Sequence, residues 1–151
     1  MTGHPVVRYR VAERFADLAP PRYASEGAAG ADLRAAIDEP LTIPPGGRVL
    51  IPTGLVLEIP TGFEGQVRAR SGLALRKGLA LVNGVGTVDA DYRGEVGVAV
   101  VNLGAEPVTI ARGERIAQLV IAPVARAAYV EADALQGSIR GTGGFGSTGT
   151  E

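Results

Sequence analysis

Residues 83–94 of this chain read NGVGTVDADYRG, and the predicted fold is organised around them. Apolar runs precede the stretch at residues 79–82 and follow it at residues 95–101. Asn83 and Gly84 both tolerate the positive φ that a type I′ turn requires, which is a strong hairpin signal. The sequence therefore predicts a tight β-hairpin whose backbone could clasp a flat ligand.

Two carboxylates follow the glycine-rich tip of this stretch. If the chain is extended there, Asp89 and Asp91 lie on one face and Ala90 on the other. Such a pair, followed by Tyr92, suits a binding site, but the same pattern occurs in polar loops that only connect two strands. From these residues in isolation, the connecting loop is the favoured interpretation.

The composition indicates one all-β domain. A chain of 151 residues has the length of a single domain. A domain of that size buries roughly 70% of its unfolded surface. The 22 glycines and 10 prolines separate short runs rich in Val, Ile and Leu. This pattern is typical of short strands that close as a sandwich, barrel or jelly roll.

Charge and cysteine content exclude several functional classes. The chain has no cysteine, so disulfides and cysteine-based zinc sites are ruled out. Fifteen basic and 16 acidic residues give a net charge of −1 without any basic run, so we expect no nucleic-acid partner. No apolar run approaches the ~18 residues of a membrane span, and the N-terminus lacks the core of a secretory signal. We expect a cytoplasmic protein with no membrane partner.

Alternating and apolar runs predict the individual strands. They lie at residues 6–11, 41–43, 49–59, 63–70, 108–110 and 116–121, with a last strand at 127–130. The long run at 49–59 is either a strand pair or one strand bent at Pro52 and Gly54. Asp32 fits a turn, with a metal-binding carboxylate as the alternative. Gln118 interrupts an apolar strand and needs hydrogen-bond partners if it is buried.

Residues 70–78 (RSGLALRKG) predict one short helix in the centre of the chain. Ser71 is a good N-cap, and Gly78 suits the C′ position. A helix N-terminus with a serine and a preceding arginine is a ready anion site. Plain capping explains the same residues equally well.

Residues 137–151 form a tail with six glycines. The simple interpretation is a disordered end. However, glycine-rich backbone with hydroxyls and an arginine can wrap phosphate oxygens, and Phe145 could cover an aromatic base. Ordering such a tail costs conformational entropy, so we expect it to order on a ligand.

Five separated segments together resemble the five ordered motifs of the trimeric dUTP pyrophosphatase (dUTPase) family. They are residues 29–33 (AGADL), 70–74 (RSGLA), 86–94 (GTVDADYRG), 112–118 (RGERIAQ) and 140–149 (RGTGGFGSTG). They occur in the family's order and spacing, and the resemblance spans about residues 6–149. Ala31, Ala69 and Thr87 depart from the common pattern without removing a functional group.

The resemblance implies a distorted β jelly roll, or β-clip barrel, at residues 1–136 and a flexible C-terminal arm at 137–151. The arm would close over a neighbouring subunit's active site in a homotrimer with shared sites. The implied reaction is Mg²⁺-dependent hydrolysis of dUTP to dUMP and pyrophosphate. This reaction would supply the precursor of dTMP and keep uracil out of DNA.

The resemblance also implies roles for the base and sugar side of the site. Asp89 would accept a proton from the water that attacks the α-phosphorus, with Asp91 a structural neighbour. Uracil would be read by Asn83, by the backbone of Thr87, Val88 and Asp89, and by Gly97. A close hairpin there would leave no room for a 5-methyl group. Tyr92 would pack under the deoxyribose and reject a 2′-hydroxyl.

The phosphate side carries over in the same way. The implied phosphate ligands are Arg70, Ser71, Gly72 and Gln118. Asp32 would help to hold Mg²⁺ through water, because Mg²⁺ keeps waters and takes few carboxylates directly. In the tail, Arg140, Ser147 and Thr148 would close over the γ-phosphate, while Phe145 would stack on uracil with Gly146 beside it.

Two other functions share some of these features. A deoxycytidine triphosphate deaminase has the same fold, but it needs a glutamate beside the base where this chain has aspartates. A non-enzymatic nucleotide-sensing or protein-binding module could use the same scaffold. The complete set of motifs argues against that module.

Overall fold

The computed structural model describes residues 4–144, which form ten strands, one α-helix and one 3₁₀ turn. The strands are β1 (Arg8–Val11), β2 (Ala31–Arg34), β3 (Leu41–Ile43), β4 (Arg48–Glu58), β5 (Phe63–Ala69), β6 (Leu79–Leu81), β7 (Gly86–Val88), β8 (Glu95–Asn102), β9 (Val108–Ile110) and β10 (Arg115–Pro123). Helix α1 (Ser71–Lys77) lies between β5 and β6, and the 3₁₀ turn spans Glu13–Phe15. None of the helices in residues 4–144 has the length and hydropathy to cross a membrane.

Antiparallel strands form two sheets and a ribbon. Sheet 1 has the order β1-β4-β8-β6, sheet 2 has the order β2-β10-β5-β7, and the ribbon pairs β3 with β9. Strand β8 shows how the sequence produces this arrangement, because Val96, Val98 and Val100 are buried while the residues between them are partly exposed. One face of each sheet therefore packs on a common apolar core. The predicted all-β class with one short central helix is confirmed.

Strand β4 is a single long strand with a bend in the middle. Its register against β8 shifts between Pro52 and Val56. At the shift Gly54 has a φ of +70°, and a Cβ added there would lie 3.0 Å from the ring of Phe15. The hydroxyl of Thr53 donates a 2.6 Å hydrogen bond to the carbonyl of Val96, which satisfies the backbone at the bend. Of the two predicted alternatives for this run, the bent strand is correct.

The predicted tight hairpin at Asn83 and Gly84 is wrong, although the two strands that it was expected to join do pair with each other. Strands β6 and β8 do pair, but the 13-residue connection between them contains β7, which belongs to sheet 2. The turn is one step earlier than predicted, because Gly84 N–H donates to the carbonyl of Leu81. Burial of Gly86 and Val88 in the core is what draws this segment across to β5.

The last predicted strand, at residues 127–130, is also wrong. After β10 the chain is extended without strand partners among the described residues, and Tyr129 and Val130 are almost fully exposed. Their β-favouring side chains suggested a strand, but a strand also requires a neighbouring edge to pair with.

Asn102 is a buried polar residue that ties three segments together. Its side-chain amide donates to the carbonyls of Ile43 and Glu106, at 3.0 and 2.8 Å, and its Oδ1 accepts from Gly104 N–H at 2.9 Å. The residue is completely inaccessible to solvent. Removing the amide would leave these backbone groups without partners in the interior, which is costly.

We therefore expect Asn102→Ala to lower the free energy of unfolding by about 3 kcal/mol, measured by urea denaturation at fixed protein concentration. The control is Asn83→Ala, which makes the same change at an exposed asparagine without a side-chain hydrogen bond among residues 4–144. That control is expected to change stability by less than about 0.5 kcal/mol. Equal effects of the two substitutions would contradict this role for Asn102.

Candidate active site

A buried carboxylate lies between two arginines on the solvent-facing side of sheet 2. Nε of Arg70 is 3.3 Å from Oδ1 of Asp32, and Nη1 of Arg115 is 3.1 Å from Oδ2. Nη1 of Arg70 also donates to the backbone carbonyl of Arg115 at 3.1 Å. We call these three residues the Asp32 cluster. The prediction of a turn at Asp32 is wrong, since this residue lies within β2 and only 9% of it is exposed.

A β-bulge brings Arg115 onto the same face as Asp32. Strands β2 and β10 pair Arg115 with Arg34 and then Ala117 with Leu33, so Ile116 is an extra residue on β10. Ile116 and Ala117 are consequently both buried. In a regular ladder Arg115 would point to the core side, because side chains alternate along a strand.

Gln118 sits on this face in the row between Asp32 and Arg68. It is half-buried, and its side chain makes no hydrogen bond among residues 4–144, so it does not tie down neighbouring backbone. Gly30 accommodates it, because a Cβ at Gly30 would lie 3.0 Å from the Cβ of Gln118. The amide is therefore available to a ligand next to the Asp32 cluster.

Helix α1 begins beside the same cluster. Its N-cap is Arg70, whose carbonyl accepts from the N–H groups of Leu73 and Ala74. The prediction of Ser71 as N-cap is wrong, since Ser71 is the first helical residue, exposed, and no side-chain cap is present. The predicted end is correct, with Gly78 in the left-handed conformation at a φ of +68°.

Asp89 occupies a different place, at the end of β7. The chain turns immediately after this strand, and Tyr92 N–H donates to the carbonyl of Asp89 at 3.1 Å. Asp89 and Asp91 therefore do not share one face of an extended strand, as the sequence had suggested. The carboxylate of Asp89 is exposed and makes no ion pair or hydrogen bond within the described part of the chain. It borders a cleft of 600 Å³ that also contains Glu64, Arg93 and Arg126.

Gly94 determines where the ring of Tyr92 lies. The Tyr92 hydroxyl donates to the carbonyl of Glu95 at 3.0 Å, so the ring folds back over Gly94. A Cβ on Gly94 would overlap the phenol, with the ring carbon Cζ 2.5 Å away. Gly94 does not have a positive φ, so a side chain there would act by displacing the Tyr92 ring rather than by straining the backbone.

Asn83 lies in the turn that follows β6, and Gly97 lies on the neighbouring strand β8 of sheet 1. Val82 N–H donates to the carbonyl of Ala99, which places the following residue, Asn83, beside β8. Gly97 is half-buried, and a Cβ there would lie 2.7 Å from the side chain of Leu50. The side chain of Leu50 thus occupies the space into which a side chain at position 97 would project.

The predicted site residues thus form two groups in one chain. The first, on sheet 2 and α1, contains Asp32, Arg70, Ser71, Gly72 and Gln118. The second, on β7, on β8 and in the two loops that flank β7, contains Asn83, Thr87, Val88, Asp89, Tyr92 and Gly97. Within residues 4–144, no side-chain hydrogen bond or ion pair joins the two groups.

The tail residues are only partly described. Arg140 is exposed, and its Nε donates to the carbonyl of Gly143 at 2.8 Å, within a local turn. Phe145, Gly146, Ser147 and Thr148 lie outside the described residues. Val124 N–H bonds to the carbonyl of Gly62, and the backbone bonds beyond it in the described chain are local.

Two arginines on the polar face of sheet 2 were not singled out from the sequence. Arg115 is part of the quoted RGERIAQ segment, but its contact with Asp32 depends on the bulge at Ile116, which the alternation of β10 does not reveal. Arg68 faces the same side as Gln118, and it is held by Gln66, which in turn contacts Glu64. The alternation of polar and charged residues along β5 was the signal that could have placed Glu64, Gln66 and Arg68 on one face.

The donor set fits a magnesium ion only as a partner of bound phosphates. Residues 4–144 contain no cluster of three or more His, Cys, Asp or Glu side chains that could hold a metal. Oδ1 of Asp32 is buried and has no hydrogen-bond donor there, since the N–H of Arg70 is not aligned with it. This oxygen can accept a hydrogen bond from a water, including a water carried by a metal.

Sequence comparisons agree on one family. The dUTPase family model matches residues 16–149. A deoxyuridine 5′-triphosphate nucleotidohydrolase of Anaeromyxobacter sp. (strain Fw109-5) is 64% identical over 140 residues, covering 93% of this chain and 94% of that protein. The enzyme of the same description from Methylocella silvestris is 63% identical over 136 residues, covering 89% and 85% of the two chains.

Solved structures support the same fold. A dUTPase mutant of Staphylococcus bacteriophage 80alpha, solved with dUpNHpp, has a TM-score of 0.84 and 24% identity, covering 96% of this chain and 99% of that one. A dUTPase mutant of phage phi11 of S. aureus, in which a structural Mg(II) ion is coordinated, has a TM-score of 0.77 and 20% identity, covering 87% and 99%.

Proposed function

Because the chain belongs to the dUTPase family, and is therefore a dUTP diphosphatase, we propose that Asp89 is the general base of its reaction. The observation that supports this role is an exposed carboxylate without any ion pair, at the edge of a cleft and one residue after β7. A water held by Asp89 transfers a proton to it and attacks the α-phosphorus in line. Positioned bases of this kind contribute about 10²–10⁴-fold to rate.

Charge stabilisation supplies the rest of the rate enhancement. Bond formation to the α-phosphorus expels pyrophosphate, so negative charge grows on the bridging and outer phosphate oxygens. Arg70, Ser71, Gly72 and Gln118 would hold these oxygens beside the Asp32 cluster. Asp32 would help to hold Mg²⁺ through water, and the ion would supply charge neutralisation on the phosphates.

Uracil and deoxyribose are selected on the second group. Asn83, the backbone of Thr87 to Asp89, and Gly97 would contact the uracil edge. Tyr92 would support the deoxyribose, with its ring held over Gly94. A 2′-hydroxyl would be crowded and stripped of water against this ring.

A homotrimer with shared active sites would bring the two groups together. This proposal is supported by the position of Asp89, which borders a cleft lined by Glu64, Arg93 and Arg126 rather than by the Asp32 cluster. The arm at residues 137–151, with Arg140, Phe145, Gly146, Ser147 and Thr148, would then close the site of another subunit, outside the domain of residues 1–136. A cytoplasmic location stays a prediction.

Release of pyrophosphate from dUTP is the direct test of the activity. A deoxycytidine triphosphate deaminase would instead release ammonia from dCTP, and a binding module would release neither product. The sequence relatives favour the dUTPase. A chain that binds dUTP without releasing pyrophosphate would contradict the proposed reaction.

The role of Asp89 predicts that Asp89→Asn keeps the fold and nucleotide binding but loses at least about 10²-fold in kcat, the lower range for a general base. The matched control is Asp91→Asn, which removes the other exposed carboxylate of the same turn. The control should retain most activity. Near-normal turnover by the Asp89 variant would remove this residue from the mechanism.

The contact between Tyr92 and Gly94 predicts a shared effect on sugar selection. Tyr92→Ala should lower the ratio of kcat/KM for dUTP over UTP more than it weakens dUTP binding. Gly94→Ala should lower the same ratio, because its methyl group displaces the ring without removing it. If both ratios are unchanged, Tyr92 is only a packing residue.

Shared sites predict that two inactive variants complement each other. One is a chain that ends at Gly137, which lacks the tail, and the other is full-length Asp89→Asn. In a mixed trimer, one site can combine Asp89 of the truncated chain with the tail of the other, so co-refolding should restore some activity. Native mass spectrometry must confirm mixed trimers, and a mixture that is then as inactive as its parents would contradict the shared site.

A further inference from the structure

Arg115 has no role in the mechanism above, although it contacts both other residues of the Asp32 cluster, one through its side chain and one through its main chain. Its guanidinium donates to Oδ2 of Asp32, and its carbonyl accepts from Nη1 of Arg70, each at 3.1 Å. Both contacts thus reach the arginine assigned to the substrate phosphates, one directly and one through Asp32.

We propose that Arg115 is a positioning residue that fixes the orientation of the Arg70 guanidinium, an inference that rests on the proposed function. By holding Oδ2, Arg115 turns the other carboxylate oxygen of Asp32 towards Nε of Arg70. Its carbonyl fixes Nη1. Nε lies 3.3 Å from that oxygen as an ion pair without an aligned hydrogen bond, so this ion pair and the hydrogen bond at Nη1 together limit the rotation of the planar guanidinium.

The third nitrogen, Nη2 of Arg70, is the one left for substrate. No acceptor among residues 4–144 contacts it. Arg70 keeps 26% of its side chain exposed, whereas Asp32 keeps 10%. The cluster therefore leaves both N–H groups of Nη2 to donate to phosphate oxygens.

Charge balance strengthens the assignment. The cluster contains two guanidinium groups and one carboxylate, so it retains one positive charge next to the half-buried Gln118. Without Arg115, Asp32 would have Arg70 as its single cationic partner in the cluster. The pair would then be neutral and free to rotate into a two-point contact with each other, which removes Nη2 from the phosphates.

The test measures nucleotide binding without turnover. Dissociation constants of dUpNHpp and of deoxyuridine are measured for the wild-type chain, Arg115→Met and Arg115→Lys, each also in an Arg70→Met background. Arg48→Met is the control, because it removes one exposed arginine of β4 in sheet 1. Pyrophosphate release by the wild-type chain is measured alongside and tests the proposed function separately.

Arg115→Met is expected to weaken dUpNHpp binding about 10-fold, a coupling typical of residues in one hydrogen-bonded network. Deoxyuridine, which has no phosphate, should bind as to wild type, and Arg48→Met should bind both ligands as wild type. Arg115→Lys should recover part of the loss, since lysine restores the charge but not the fork. In the Arg70→Met background, loss of Arg115 should have almost no further effect.

Three results would overturn the proposal. The first is wild-type affinity of Arg115→Met for dUpNHpp. The second is the same weakening in both backgrounds, which would mean that Arg115 acts independently of Arg70. The third is an Arg115→Met chain that does not fold beside an Arg115→Lys chain with wild-type affinity, which would make the role purely structural.

Discussion

The fold depends on one crossing of the chain between the sheets. Within residues 79–102 the chain leaves sheet 1 after β6, contributes β7 to sheet 2 and returns to sheet 1 as β8. Val88 on one side and Val96, Val98 and Val100 on the other bury their side chains in the same core. The loops on either side of β7 are therefore held at both ends, and these loops carry Asn83, Asp89 and Tyr92. Rigid anchoring of short loops is what a reactive site requires, because a small displacement of a base or a reacting atom is costly.

Electrostatics impose a second constraint, which acts on the first group of site residues around Asp32. A carboxylate as buried as that of Asp32 is stable only with positive partners, and two arginines provide them. Each arginine is at the same time tied to other parts of the fold, Arg70 to the start of α1 and Arg115 to the bulge of β10. The first group is thus organised by charge and the second by packing. Because the two are built differently, substitutions in one group should leave the other largely intact.

The sequence predicted the fold class, most of the strands and the short helix, because alternation and turn residues report local structure directly. It failed where distant partners decide the outcome. The tight turn at Asn83 and Gly84 was a sound local interpretation, but burial of Val88 against β5 required a longer connection. Residues 127–130 had strand-forming side chains without an available edge. Asp32 was expected in a turn, because the residues adjacent to it in sequence do not reveal that Arg70, at the start of α1, and Arg115, on β10, approach its carboxylate. The candidate residues themselves came from the five motifs taken together, whereas their contacts could be found only in three dimensions.

The bulge at Ile116 gives β10 an odd-numbered spacing that a regular strand cannot provide. Arg115 and Gln118 are three positions apart and would normally lie on opposite sides, yet the extra residue brings both to the polar side. The alternation of side chains between the two faces of β10 is therefore reversed at the bulge, so Arg115 faces the side opposite to the one that regular alternation would give it. Deleting Ile116 would restore regular alternation and leave Arg115 and Gln118 two positions apart, still on the polar side. In protein engineering, the even spacing of that shortened strand needs no bulge, whereas the native odd spacing keeps both side chains on one face only while Ile116 stays unpaired.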